Sequence, residues 1–254
     1  PYKFFFFFFL GLRALEELDG ALEKREFGTC LHAVLRRFHE QNEPLASDLS
    51  AQTAMINIAA EAVTQEQQWS EAEFLPYTSM WPRVRDAYLA WLAKHRSAGA
   101  TFSAAEVARQ RHWGTVNLVG TLDRIDRVQG GGTLVLDYKT ENYDTTAKRV
   151  KAPLEDTQLA FYAALMDSPE PSGELQAMYL NLSEKEAKPY PQHEVLAARD
   201  ALLDGISHDL SRIAAGAPLP PLGEGRVCEH CDARGLCRKD WWSEKLVAHT
   251  GLGE

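Results

Sequence analysis

The sequence predicts an α/β chain: a small mixed sheet flanked by helices, with a helical N-terminal part and a C-terminal cysteine segment. Three observations carry this. Hydrophobic residues make up 45% and charged residues 25% of the 254 positions, ordinary proportions for a folded domain. The patterning runs from helices to a small mixed sheet and then to a helix, a strand and a helix. Gln129-Gly130-Gly131-Gly132 breaks two strand-like segments apart with a tight turn, which predicts a hairpin.

The elements follow in order. Residues 28–41 read as a helix, because Leu31, Leu35 and Phe38 recur at helical spacing. Residues 50–68 and 79–97 read as two more, the latter with a buried stripe at Tyr88, Leu89, Trp91 and Leu92. After Gly99 the texture turns to strand over 102–112, 115–128 and 133–139. Residues 153–166 return to helix with Pro153 near the start, 174–182 read as a strand, and 192–215 as a long final helix. A Pro/Gly-rich stretch from Gly216 to Gly225 leads into the cysteines. The chain is thus divided into an N-terminal segment 1–27, a core 28–215 with a helical insertion at about 45–100, and a Cys-rich segment 216–254.

Composition excludes several function classes. The net charge of −9 rules out nucleic-acid binding by overall charge, so any such contact needs a local basic patch or metal ions. No apolar run approaches the roughly 18–20 residues that cross a bilayer, so no membrane partner is expected. Of four cysteines, three crowd between Cys228 and Cys237, a pattern of metal or cluster ligation in a reducing, cytoplasmic compartment. The run Phe4–Phe9 fails as a signal peptide, since Arg13, Glu16 and Glu17 follow at once. With Pro1-Tyr2-Lys3 at the start and no initiator Met, the chain reads as a piece of a longer protein.

The most informative stretch is Gly120-Thr121-Leu122-Asp123, followed across the turn by Asp137-Tyr138-Lys139. Side chains alternate along a strand, so Asp137 and Lys139 share one face while Leu134, Leu136 and Tyr138 take the other. The hairpin brings Asp123 alongside Asp137. Two converging carboxylates repel unless a cation lies between them, and Mg²⁺ (or Mn²⁺) suits carboxylate oxygens, waters and phosphate oxygens together. Such an ion polarises a phosphodiester and lowers the pKa of its water, while Lys139 stabilises charge on phosphate. By itself, an Asp-x-Lys on a strand edge is also a common solvated ion pair. Asp126 reads as structural, pairing with Arg124 or Arg127.

These residues resemble the PD-(D/E)xK nuclease superfamily in its RecB/AddB branch. The match runs through Gly28-Thr-Cys-Leu-His32 as a G-x-x-x-H element and Gly120-Thr-Leu-Asp123-Arg-Ile-Asp126. It continues through Leu136-Asp137-Tyr138-Lys139-Thr140 and through Gln158-Leu-Ala-Phe-Tyr162 as a Q-x-x-x-Y element. The resemblance implies a restriction-endonuclease-like core. It implies Asp123 and Asp137 as metal carboxylates, His32 and the Tyr138 backbone carbonyl as further ligands, and Lys139 as the catalytic lysine. Gln158 and Tyr162, four apart on one helical face, would position DNA or the lysine, and Arg124 and Arg127 would follow the DNA backbone.

In that branch, Cys228-Glu-His-Cys231-Asp-Ala-Arg-Gly-Leu-Cys237 implies a [4Fe–4S] cluster. Its fourth cysteine would stand immediately before Pro1-Tyr2-Lys3-Phe4-Phe5, in the parent protein. Cys30 reads instead as a buried helix cysteine, and His230 would offer a Cys₃His zinc alternative. The implied protein is bacterial: an AddB-like subunit of a helicase–nuclease, degrading DNA without sequence preference as an exonuclease during double-strand break processing and recombinational repair. Two alternatives stand beside it. One is a catalytically silent DNA-binding or scaffold module of such a complex; the other is a stand-alone exonuclease of CRISPR-adaptation or phage-recombination type.

Overall fold

The computed structural model describes residues 6–7, 10–12, 24–42, 48–67, 71–166, 174–218, 228, 231 and 233–237. Two compact units divide the chain, one formed by residues 19–207 and the other by residues 1–18 with 208–254. Of the Phe4–Phe9 run, only Phe6 and Phe7 lie within the described residues. Among the described residues no helix is long and apolar enough to cross a membrane.

Three helices come first, α1 (Lys24–Asn42), α2 (Leu49–Gln67) and α3 (Glu71–Ser97), followed by β1 (Thr101–Trp113), β2 (Val116–Arg127) and β3 (Thr133–Lys139). Then come α4 (Tyr143–Lys151), α5 (Gln158–Leu165), β4 (Leu175–Leu182), β5 (Ala187–Pro191), α6 (Val195–Ala214) and the short α7 (Arg234–Cys237). The five strands form one sheet in the order β1-β2-β3-β4-β5. Its pairings are antiparallel except β3–β4, which is parallel. A parallel pair needs a crossover connection, and here α4 and α5 supply it.

The mixed α/β architecture agrees with expectation, and the hairpin forms where Gln129–Gly131 make a 3₁₀ turn. Four details differ, the first being that the helix expected over 79–97 begins at Glu71. The expected helix 153–166 begins only at Gln158, because the Ala152 carbonyl accepts from the Glu155 and Asp156 N–H groups in a turn after Pro153. Helix α4 was not expected: Tyr143-Asp-Thr-Thr-Ala-Lys-Arg-Val-Lys151 has no apolar stripe, and Thr146 is its buried residue. What starts α4 is Asn142, whose side chain accepts from the Thr145 N–H at 2.8 Å. Strand β5 was also unforeseen; it contains Pro189 and Pro191, which a central strand excludes and which are tolerated here because β5 is an edge strand.

Each face of the sheet is covered. On one side Leu31, Val34, Leu35 and Phe38 of α1, with residues of α2 and α3, pack on Leu134, Leu136, Tyr138, Leu180 and Leu182. On the other, Leu159, Ala163 and Leu165 of α5, with Val195 and Leu203 of α6, pack on Leu122, Ile125, Val135, Ala177 and Tyr179. The odd and even positions of β3 thus serve different cores, as strand alternation requires. Asp137 and Lys139 share the parity of Val135 and turn toward α5.

Gly132 lies where β3 meets the start of β4. A Cβ there would sit 2.8 Å from the Glu174 carbonyl oxygen and 3.1 Å from Val128 Cγ2. The same carbonyl accepts from the Thr133 N–H at 3.1 Å, so the backbones cannot part without losing that bond. Gly132→Ala is therefore expected to destabilise the fold by about 1–3 kcal/mol, the usual cost of overpacking. Urea unfolding measures it, and an unchanged midpoint would contradict the close approach.

Candidate metal centre

The site is assembled where β1, β2 and β3 run side by side. Ala105 pairs with Arg124 and Val107 with Leu122, which sets Glu106 opposite Asp123. Arg124 pairs with Leu136, so one step further sets Asp123 opposite Asp137. Three carboxylates therefore stand in one row across three adjacent strands. Asp123 and Asp137 are buried, 8% and 1% exposed.

Helix α1 brings His32 to this row. Its Nδ1 lies 3.4 Å from Asp123 Oδ2 and 3.6 Å from Glu106 Oε1, and its Nε2 lies 3.3 Å from the Tyr138 carbonyl oxygen. The carbonyl can only accept, so that bond uses a proton on Nε2; once the ring loses its charge, the lone pair is left on Nδ1. A metal-ligating histidine commonly uses a backbone carbonyl in this way to hold its ring. The Tyr138 carbonyl, expected in the metal shell, thus lies beside His32 at the edge of the carboxylate row.

Helix α5 holds the rest. Lys139 Nζ is 2.6 Å from Asp137 Oδ2 and donates to Gln158 Oε1 at 2.7 Å. Gln158 Nε2 donates to Asp137 Oδ1 at 2.5 Å and to the Tyr162 hydroxyl at 3.2 Å. The Tyr162 hydroxyl in turn donates to Asp123 Oδ1 at 3.3 Å, and the Tyr138 N–H donates to Asp123 Oδ2 at 3.0 Å. One turn of α5 therefore touches both aspartates and the lysine. Gly120 explains how α5 comes so close: a Cβ there would lie 2.9 Å from Leu165 Cδ1 and 3.2 Å from Phe161 Cε1.

The electrostatics follow from burial and crowding. Burial and the neighbouring Asp137 push the Asp123 carboxyl up to about 7, against the opposing pull of His32 and the Tyr138 N–H. Burial also raises Asp137, opposed by Lys139 and His32. Burial disfavours the His32 imidazolium, but Glu106, Asp123 and Asp137 overcome it and raise its pKa.

The residues fit a divalent cation. His32, Glu106 and Asp123 offer ligand atoms all within 4.8 Å of one another, the one such group among the described residues. Imidazole nitrogen with carboxylate oxygen is a donor set that divalent metals accept. Asp137 Oδ2 is buried without a hydrogen-bond donor, since Lys139 meets it as an ion pair outside hydrogen-bonding geometry. Glu106 was not anticipated from sequence. It lay in a segment assigned to strand, and only its register with Asp123 distinguishes it from the exposed acids elsewhere. A cavity of about 750 Å³ opens beside the centre, lined among others by His32, Arg36, Glu106, Lys139, Thr140 and Arg149.

Arg124 corrects an expectation. It does not face DNA but is buried, 1% exposed, on the opposite face of β2. Its Nε donates to Asp126 Oδ1 at 2.8 Å and its Nη1 to the Tyr88 hydroxyl at 2.7 Å, with His39 Nε2 at 2.8 Å. Asp126 Oδ2 also meets His95 Nε2 at 2.8 Å. Burial alone would raise the Asp126 carboxyl, yet His95 and Arg124 hold it below its usual range. Arg127 is exposed at the hairpin end of β2, four residues (about 13 Å of strand) from Asp123, and is not brought to the centre. In the second unit, Cys228, Cys231 and Cys237 are free thiols whose sulfurs do not gather within 4.8 Å of one another among the described residues. His230 lies outside the described residues, and Cys30 is buried in α1 as expected.

A family model described as "PD-(D/E)XK nuclease superfamily" matches residues 1–238. No curated protein matches the chain. Among solved structures, one titled "Crystal structure of SSO0001" is similar over 90% of this chain and 90% of that one, at 14% identity and a TM-score of 0.35, too low a superposition to bear on the fold.

Two outcomes are expected. A carboxyl whose folded pKa of about 7 exceeds its ordinary 3.8 binds its proton more tightly in the folded chain. Metal-free protein in EDTA should therefore lose stability as pH rises from about 4 to about 7. His32, also raised, acts in the same direction as it loses its charge. Asp123→Asn should flatten that slope in urea titrations, and an unaltered slope would contradict the assignment. Separately, Arg124→Met leaves Asp126 with His95 alone and should cost about 3–5 kcal/mol, as removal of one partner of a buried ion pair does; a loss below about 1 kcal/mol would show that the network contributes little.

Proposed function

The chain belongs to the PD-(D/E)XK nuclease superfamily, whose members are generally metal-dependent nucleases, and from that premise we propose that it is a Mg²⁺- or Mn²⁺-dependent deoxyribonuclease. The substrate is DNA taken without regard to sequence, and the setting is double-strand break processing beside a helicase partner, with exonucleolytic cleavage. The observation that supports it most is the convergence of Asp123, Asp137, Lys139 and His32 from three elements, with their polar atoms ordered by Gln158 and Tyr162. A silent scaffold has no use for a lysine and carboxylates kept buried at such electrostatic cost.

In this reading His32 and Asp123 hold the cation, with Asp137 at its flank. A bound divalent ion supplies Lewis-acid polarisation of the phosphodiester and a water of lowered pKa. Lys139, anchored by Asp137 and Gln158, presents its ammonium toward the phosphate and stabilises the negative charge that grows there. Gln158 fixes the rotamers of Asp137 and Lys139 together, and Tyr162 does the same for Asp123. The cavity beside Lys139 gives a strand room to approach, and Arg36 and Arg149, each also paired with a carboxylate, lie on its wall for flanking phosphates.

The test is cleavage of end-labelled single- and double-stranded linear DNA with and without Mg²⁺. Lys139→Ala is expected to slow cleavage by about 10²–10³-fold, the usual cost of removing a transition-state charge stabiliser. Asp137→Asn, which preserves shape, is expected to slow it at least as much while circular dichroism stays unchanged. Cleavage that survives both substitutions would refute the reading.

A further inference from the structure

We infer that a second cavity, beyond the ends of β3 and β4, takes an unpaired nucleobase, so that on the nuclease reading above the chain selects single-stranded over duplex DNA. Strands β3 and β4 run parallel and end at Lys139 and Leu182. In an open α/β sheet, the crevice outside the carboxyl ends of parallel strands is where ligands commonly bind. Here the chain leaves β3 through Thr140 and Glu141, and the Asn142 cap turns it into α4. A cavity of about 420 Å³ lies there.

Its lining suits a flat apolar ring. Phe27 of α1, Tyr77, Met80 and Val84 of α3, Tyr143 of α4 and Leu182 of β4 supply the apolar wall. Phe27 and Tyr77 stack on one another, with ring centroids 4.4 Å apart and 13° between the planes, which holds both rings in place before a ligand arrives. A base is the part of a DNA strand with flat apolar faces, and its stacking on aromatic side chains tolerates every sequence. Several polar side chains of the lining are already engaged within the protein. Asn142 caps α4, Glu141 pairs with Arg149, Glu184 pairs with Arg83, and Ser183 meets the Tyr143 hydroxyl. Little is left to read a base edge, which accords with DNA taken without regard to sequence.

Continuity with the cavity beside Lys139 identifies the occupant. Thr140 and Glu141 line both cavities and follow Lys139 directly in the chain. A strand whose phosphodiester lies against Lys139 can therefore set a neighbouring base across that shared wall. Arg149 donates to both Glu141 oxygens, at 2.6 and 2.8 Å, so the wall does not repel a phosphate, and exposed Lys185 adds a cation to the lining. In a duplex each base is paired and stacked, and entry would cost its unpairing; a single strand gives up its base at less cost.

The experiment is fluorescence-anisotropy binding of labelled oligonucleotides to the whole chain in EDTA, where no metal-dependent cleavage competes. Wild type should bind a single strand at least about tenfold tighter than the blunt duplex of the same sequence. It should bind the single strand about tenfold tighter than a fully abasic strand of the same length and charge, the size of one base–aromatic stack. Tyr77→Leu should bind normal and abasic strands within about twofold of each other, while Tyr77→Phe keeps the wild-type preference. Unchanged affinity of Tyr77→Leu for the abasic strand shows that its fold is intact; if that affinity is lost as well, the wild-type comparisons decide. Equal wild-type affinity for normal and abasic strands, for single strand and duplex, or a base preference that survives Tyr77→Leu would overturn the inference. Mg²⁺-dependent cleavage accompanied by such indifference would sink the base cavity alone, whereas base-dependent binding without any cleavage would sink the nuclease reading and leave the cavity standing.

Discussion

Carboxylates in register across neighbouring strands repel, and in this sheet Glu106, Asp123 and Asp137 occupy one such row with the last two buried. Burial amplifies the repulsion because little solvent screens it. Much of the surrounding structure can be understood as a response. Lys139 lies against Asp137, the Tyr138 N–H and the Tyr162 hydroxyl both donate to Asp123, and Gln158 caps the remaining oxygen of Asp137. Each contact lowers the cost of keeping the acids ionised, yet together they leave Asp123 raised to about 7. A cation of charge two answers the residual imbalance directly.

The two helices that meet this row play different parts. Helix α1 delivers a nitrogen donor and holds it through a carbonyl of β3, so the imidazole is fixed by the strand that carries Asp137 and Lys139. Helix α5 delivers an amide and a hydroxyl one turn apart, which is why a four-residue spacing between Gln158 and Tyr162 suffices to reach both aspartates. The close seat of α5 on β2 depends on Gly120 having no side chain. Gly120 and the Gln158/Tyr162 pair, far apart in the sequence, thus serve one close approach.

Behind the acids, β2 uses its alternate positions as an anchor. Arg124 and Asp126 point away from the centre and tie β2 to Tyr88 and His95 of α3 and His39 of α1. Trp91 and Phe102 flank the guanidinium at 5.7 and 5.5 Å. A buried pair of this kind is weak as a source of net stability. Its effect is geometric, because it allows β2 one placement under α1 and thereby one position for Asp123 relative to His32.

Sequence patterns alone sufficed for α1, β2, β3, the hairpin and the pair Asp137/Lys139, because each of these depends on periodicity within one element or across one short turn, whereas Gln158 and Tyr162 stood out only through the family resemblance. Helix α4 and strand β5 escaped, the first because its sequence has no apolar stripe and is started by an Asn142 cap, the second because two prolines mask an edge strand. The fate of Arg124 and the place of Glu106 could be decided only in three dimensions. Whether a charged strand residue faces solvent or a buried histidine depends on which helices cover that face. Whether two acids stand opposite depends on a register between strands whose pairing is settled by the whole sheet, and local composition carries no record of either.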